Sequence, residues 1–167
     1  MELRIAITDD LNSEREKLSS AIAAPFEKVG LAIGNIDEFT SGEALLRQFS
    51  AGKYDLIFLD IYMGGISGVE TAKRIRSIDK NVMLVFVTTS NEFASESYAV
   101  KANFYLLKPI RPDSIKQLAE TLAQQMQNTR SVAALPDGTV IPLSSLVYTS
   151  CSGHYVNVYL VGSEPLK

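Results

Sequence analysis

Apolar residues along the chain come in short blocks that alternate between two spacings. Leu3-Arg-Ile-Ala-Ile7, Gly34-Asn-Ile-Asp-Glu-Phe39, Leu56-Ile-Phe-Leu59, Val82-Met-Leu-Val-Phe-Val87 and Phe104-Tyr-Leu-Leu107 are β-prone runs of four to six residues. The runs at 56–59 and 82–87 are almost wholly apolar, the pattern of strands buried on both faces of a parallel sheet. Between them the apolar positions recur at three and four. Leu18, Ile22, Phe26 and Val29 form one stripe, Val69, Ala72 and Ile75 another, and Ile115, Leu118, Ala119, Leu122 and Met126 a third. These are amphipathic helices. Shorter helices are predicted over 42–49, capped by Ser41, and around Ala94 to Val100.

Boundary residues sharpen the pattern. Ser13 and Glu16 have capping-box spacing, Ser67 suits the cap of the third helix, and Pro112 suits a first helical position. Pro25 lies inside the first helical stripe and predicts a kink or break near Ala23-Ala24, because proline removes a donor and crowds the preceding turn. Five strands alternating with five helices give an α/β fold, a doubly wound five-stranded parallel sheet covered on both faces. Right-handed crossovers bring every strand's C-terminal end to one edge. Asp9 and Asp10, Asp60, Thr88 and Lys108 each follow directly on, or end, one of those strands. By itself a carboxylate such as Asp60 after a strand is more often a turn or cap residue; its company at the sheet edge reverses that weighting.

From about residue 129 the helical period stops. A Pro136-Asp-Gly138 turn is followed by Thr139-Val-Ile141, Leu146-Val-Tyr-Thr149 and Tyr155-Val-Asn-Val-Tyr-Leu160, in which period-two alternation predicts a small antiparallel β unit. The expected division is therefore 1–128 and 129–167.

Composition narrows the classes. At 167 residues and 46% hydrophobic, the chain can fill one core of ordinary size with a small appendage. The lone Cys151 permits no internal disulfide and suits a reducing compartment. No apolar run reaches the length of a membrane span and no leader pattern opens the chain, so a cytoplasmic protein without membrane partners is expected. The four charges of 129–167, Arg130, Asp137, Glu164 and Lys167, cancel, and the net charge of −3 sits in the first 128 residues. Neither part is basic enough to mark a nucleic-acid binder by composition.

The chemistry at the edge follows from residue types. Three converging carboxylates within about 5 Å repel by about 3 kcal/mol per pair at an effective dielectric near 20, which a cation would relieve. An oxygen-only donor set without His or Cys favours a hard ion, and Mg²⁺ retaining several waters fits two or three carboxylates. With Lys108 as a point charge and Thr88 as a hydroxyl donor, the parts that hold a phosphoryl group are assembled, and a carboxylate is present to act as nucleophile.

In this order the residues resemble the receiver domain of a two-component response regulator, the CheY-like fold: an acidic pair after strand one (Asp9, Asp10), a phosphoacceptor after strand three (Asp60), a hydroxyl after strand four (Thr88) and Lys108-Pro109 after strand five. The resemblance implies that Asp60 takes a phosphoryl group from a phosphohistidine on a sensor histidine kinase. It further implies that Asp10 and Asp60 ligate Mg²⁺, that Asp9 holds the ion through water, and that the Tyr62 backbone carbonyl supplies another ligand. Thr88 and Tyr105 become the switch pair, and phosphorylation is expected to favour homodimers through the face bearing Tyr105. Such a protein is a signalling device, with Mg²⁺-dependent self-phosphorylation and autodephosphorylation as its only chemistry. The chain departs from the family's usual Met-Pro with Met63-Gly64-Gly65, which predicts a more mobile loop.

Residues 141–148 and 152–156 resemble the opening strands of a LytTR-type DNA-binding domain, with His154 matching a loop histidine that faces DNA. Some 35 residues are present of a domain that normally runs to about 100, so the expectation is a truncated regulator of transcription whose intact parent contacts DNA. Two other readings stand beside it. One is a stand-alone receiver that signals by protein contact. The other is an aspartyl-phosphate hydrolase, which requires an Asp-x-Asp after strand one that Thr8-Asp9-Asp10-Leu11 does not supply.

Overall fold

The computed structural model describes residues 2–130, 132–134, 140–142, 146–152 and 155–160. The first ten elements alternate without exception: β1 (Glu2–Thr8), α1 (Asn12–Lys28), β2 (Ala32–Phe39), α2 (Gly42–Gln48), β3 (Leu56–Leu59), α3 (Gly68–Ile78), β4 (Met83–Thr88), α4 (Ala94–Ala99), β5 (Phe104–Leu107) and α5 (Pro112–Arg130). The sheet order is β2-β1-β3-β4-β5 and every pairing is parallel. This is the doubly wound sheet that the alternating periods predict.

Burial follows strand position. All four residues of β3 are buried, as are five of the six in β4, whereas the edge strand β2 buries only Phe39. Ala6, Phe39, Leu45, Ile57, Leu59, Val69, Ala72, Ile75, Leu84 and Phe86 belong to one apolar cluster between the sheet and α2 to α4. Ile5, Ile7, Leu56, Phe58, Val85 and Val87 have the opposite parity and are also buried, so they belong to the other face, with Leu18, Ile22 and Phe26 of α1 and Ile115, Leu118 and Ala119 of α5. Burying both faces is what fixes the register. A one-residue slip would exchange the two sets.

The start of α1 differs from the capping box expected at Ser13 and Glu16. The cap position is Leu11, which has no side-chain cap, and the helix begins at Asn12. Asp9 Oδ1 accepts the Leu11 N–H at 2.9 Å, and Asn12 Nδ2 donates to Glu16 Oε1 at 2.7 Å, so neighbouring side chains do the work assigned to Ser13. Nor does Pro25 break α1, which continues unbroken to Lys28. Its missing donor falls in the last turn, where the buried Phe26 holds the helix on the sheet and accepts from both Val29 and Leu31.

Residues 1–120 and 121–167 form two compact units. Within the second, β6 (Val132–Ala134) pairs antiparallel with β7 (Val140–Pro142), and β8 (Leu146–Ser152) with β9 (Tyr155–Leu160).

Candidate functional site

The parallel ladder sets the site. Thr8 pairs with Leu59, and Thr88 with Leu107, so the residues that follow emerge level with one another. Backbone bonds carry the ladder one step past the strands: Asp60 N–H donates to Thr8 O at 2.9 Å, Lys108 N–H to Thr88 O at 2.8 Å and Asp9 N–H to Phe39 O at 3.1 Å. Asp9, Asp60, Thr88 and Lys108 are therefore held at their backbones by the sheet before their side chains make any contact.

Asp9, Asp10 and Asp60 each present a carboxylate oxygen within 4.8 Å of the others, with Asp9 and Asp60 buried and Asp10 exposed. Lys108 Nζ lies 2.5 Å from Asp9 Oδ2 and 3.6 Å from Asp60 Oδ2. Asp60 Oδ1 also accepts the Ile61 N–H at 2.9 Å. Burial nevertheless pushes the Asp60 carboxyl up to about 6, with the negative charge of Asp9 adding to the rise and Lys108 and the Ile61 and Tyr62 N–H groups opposing it. The donor set fits a hard divalent cation: oxygen donors only, converging, with one lysine already recruited against the negative charge.

Thr88 Oγ1 is buried and, among the described residues, has no hydrogen-bond partner. A buried hydroxyl left unpaired costs on the order of 1–3 kcal/mol, so its presence at the functional edge is informative. Thr8 Oγ1 is in the same condition, and nothing in the structure explains it. Tyr105 is half-buried, its ring centroid 6.2 Å from that of Phe86, and its hydroxyl donates to Ser90 O at 2.5 Å in the loop that follows Thr88. Tyr62 is exposed. Its hydroxyl donates to Glu92 Oε2 at 2.8 Å, and its ring stands edge-on to Phe93 at 5.6 Å. Lys108-Pro109 is a cis peptide. His154 lies outside the described residues.

One site residue escaped the sequence reading. Arg15 is buried on α1, where its guanidinium donates to Asp9 O at 2.8 Å, Asn12 Oδ1 at 2.7 Å and Glu38 Oε2 at 3.0 Å. It ties the acidic β1–α1 turn to both the helix and β2. A signal was available: Arg15 falls three residues before Leu18, on the apolar stripe, where a charge is out of place unless it is paired.

Residues 5–120 match the response regulator receiver domain. The chain belongs to that family. As a receiver it is similar to the sensory transduction protein LytT of Oceanobacillus iheyensis, 23% identical over 178 residues that cover all of this chain and 70% of LytT. It is also similar to the positive alginate biosynthesis regulatory protein of Pseudomonas aeruginosa, 30% identical over 141 residues, 80% of this chain and 51% of the relative. The chain thus spans from about half to 70% of the length of these relatives. Among solved structures, the Thermotoga maritima response regulator TrrA in complex with Mg²⁺ and BeF superposes with a TM-score of 0.58 at 34% identity, covering 73% of this chain and 99% of TrrA. The receiver domain of AraT from Geobacillus stearothermophilus gives 0.65 at 23% identity over 78% of this chain and all of that domain, which shows the fold. The receiver is a response regulator domain homologous to the LytT and LytR regulators. No helix among the described residues is long and apolar enough to cross a membrane.

Proposed function

We propose that residues 1–128 act as a phosphorylation switch, in which Asp60 accepts a phosphoryl group from a phosphohistidine of a sensor histidine kinase. The observation that carries this is Thr88, a buried hydroxyl without a partner one strand from a carboxylate that a lysine already faces. An Asp60 carboxylate oxygen attacks phosphorus as the P–N bond of the phosphohistidine breaks. The O–P bond forms and the electron pair stays on the imidazole nitrogen. Lys108 leaves Asp9 for a phosphoryl oxygen, and the Thr88 hydroxyl donates to another, which satisfies it for the first time. Asp10 and Asp60 would hold Mg²⁺ directly, Asp9 through water and the Tyr62 carbonyl as a further ligand; the ion supplies charge neutralisation at the phosphoryl group.

Movement of Thr88 toward the acyl phosphate draws on the loop held by Tyr105 and biases the α4 and β5 surface, a population shift between two arrangements. Homodimerisation through that surface is the proposed output within the receiver. Homology to LytT supports reading residues 129–167 as part of a LytTR-type domain through which the whole protein contacts DNA in the cytoplasm.

Incubation with acetyl phosphate and Mg²⁺ followed by intact-mass measurement tests the site. A phosphate-sized gain is expected for the native chain and none for Asp60→Asn. A gain that persists in the variant overturns the assignment.

A further inference from the structure

The loop between β3 and α3 opens directly from Asp60 and contains the glycine pair that stands where the family usually has proline. It is closed at its base, where Gly68 N–H donates to Ile61 O at 3.1 Å. Further along it is tied from outside. The Glu43 carboxylate, in the first turn of α2, accepts the Ile66 N–H at 2.8 Å through Oε1. Gly65 takes a φ of +83°, and a Cβ built there would overlap that same carboxylate. α2 is itself pressed against α3, since a Cβ on Gly42 would overlap Thr71 Oγ1. Gly65 is thus threaded past the Glu43 carboxylate, while Gly64 has open space around it, and a side chain, not a proline ring, ties the loop down at Ile66.

We infer that Glu43 is a positioning residue of the phosphoryl-transfer site, holding the β3–α3 loop so that the backbone beginning at Ile61 and Tyr62 presents its groups to the Asp60 edge. The inference rests on the phosphoacceptor reading above. Its mechanism is preorganisation: a loop with two glycines samples many conformations, and an anchor at Ile66 removes most of them before the cation and phosphoryl group arrive. Glu43 touches neither. The hydrogen bond holds its carboxyl below the usual carboxylate range, so the acceptor is ionised throughout the physiological range.

The test compares the native chain with Glu43→Gln, Glu43→Ala and Gly65→Ala, reading Mg²⁺ affinity by calorimetry, acetyl phosphate labelling against Mg²⁺ concentration, and the Ile66 amide resonance by NMR. For Glu43→Ala the Mg²⁺ dissociation constant is expected to rise about tenfold, the lower end of outer-shell metal-site changes. Labelling should slow at low Mg²⁺ and recover at saturation, and the Ile66 amide should lose its downfield shift. Glu43→Gln keeps an oxygen acceptor and should stay within about twofold of native. Gly65→Ala should act like Glu43→Ala by a different route. If Glu43→Ala and Gly65→Ala bind Mg²⁺ like the native chain, or if Glu43→Gln is as impaired as Glu43→Ala, the positioning role is overturned while the phosphoacceptor stands. A native chain that neither binds Mg²⁺ nor gains phosphate on Asp60 removes the underlying reading instead.

Discussion

The two sides of the site are built differently. On the acidic side, the β1–α1 turn is wired throughout: Arg15 binds the Asp9 carbonyl, Asp9 accepts from Leu11, and Lys108 pairs with Asp9. α1 behind it runs for 17 residues with Leu18, Ile22 and Phe26 buried. On the hydroxyl side, the Thr88 hydroxyl has no partner among the described residues, the following loop hangs on the Tyr105 and Tyr62 hydroxyls, and α4 has only 6 residues. One side is preorganised and the other is cheap to rearrange. A switch needs both, because a fixed site for the incoming charge is useful only if something next to it can move in response.

Removing Arg15 strikes the wired side and carries the largest expected effect. Arg15→Met keeps most of the apolar stem but strands the Asp9 carbonyl and Glu38. A loss of about 2 kcal/mol is expected, chiefly from leaving the buried Asp9 carbonyl without its charged donor, because the exposed Glu38 carboxylate is rehydrated. Arg15→Lys should recover little of it, since one ammonium cannot span three acceptors set around a planar fork. Urea denaturation of the two variants checks this. A change under about 0.5 kcal/mol for Arg15→Met would mean that the β1–α1 turn stands without its wiring.

Asp60 sets the next magnitude, and with the opposite sign. Its carboxyl is pushed up to about 6, so the folded state binds its proton more tightly than the unfolded chain does. Stability from this group is fully present below the ordinary carboxylate range near 4 and is lost as pH rises through about 6. Asp60→Asn does not titrate. Without Mg²⁺ it should therefore be more stable than the native chain at pH 7.5, by on the order of 1–2 kcal/mol, and the gap should close toward pH 4. Denaturation midpoints at the two pH values in EDTA decide it. A gap independent of pH would show that the acidic side carries no electrostatic strain.

How much of this was legible in the sequence divides along the same line. The sheet, its order of elements and the residues at its C-terminal edge follow from apolar periodicity, because a strand buried on both faces can be written in few ways. Asp9, Asp10, Asp60, Thr88 and Lys108 needed only the rule that strand ends share an edge. Arg15 left one mark, a charge on the apolar stripe of α1, whereas Glu43 left none, since it acts on an N–H in a distant loop and backbone partners leave no mark on residue type. The permissiveness of the glycines at 64 and 65 is local and visible, whereas the carboxylate that lies beside Gly65 and accepts from Ile66 comes from another helix. Ser13 looked like a cap because its type and spacing fit, while the turn had already been closed by Asp9.

The hydroxyl side offers the smallest change in stability and the sharpest separation of stability from signalling. Thr88→Val replaces an unpaired buried hydroxyl by a methyl group of nearly the same volume. Elsewhere such an exchange destabilises a protein, because a hydrogen bond is lost; here none is made, so unfolding free energy should stay the same or rise by up to about 1 kcal/mol. Phosphorylation of Asp60 should persist, with Lys108 still in place. The response to it should not, if Thr88 senses the phosphoryl oxygen as proposed: sedimentation of the phosphorylated variant should match that of the unmodified chain, whereas the proposed switch would shift the native protein toward dimer. Loss of stability by more than about 1 kcal/mol would mean that the Thr88 hydroxyl has a partner in solution, and the two sides of the site would then be equally wired.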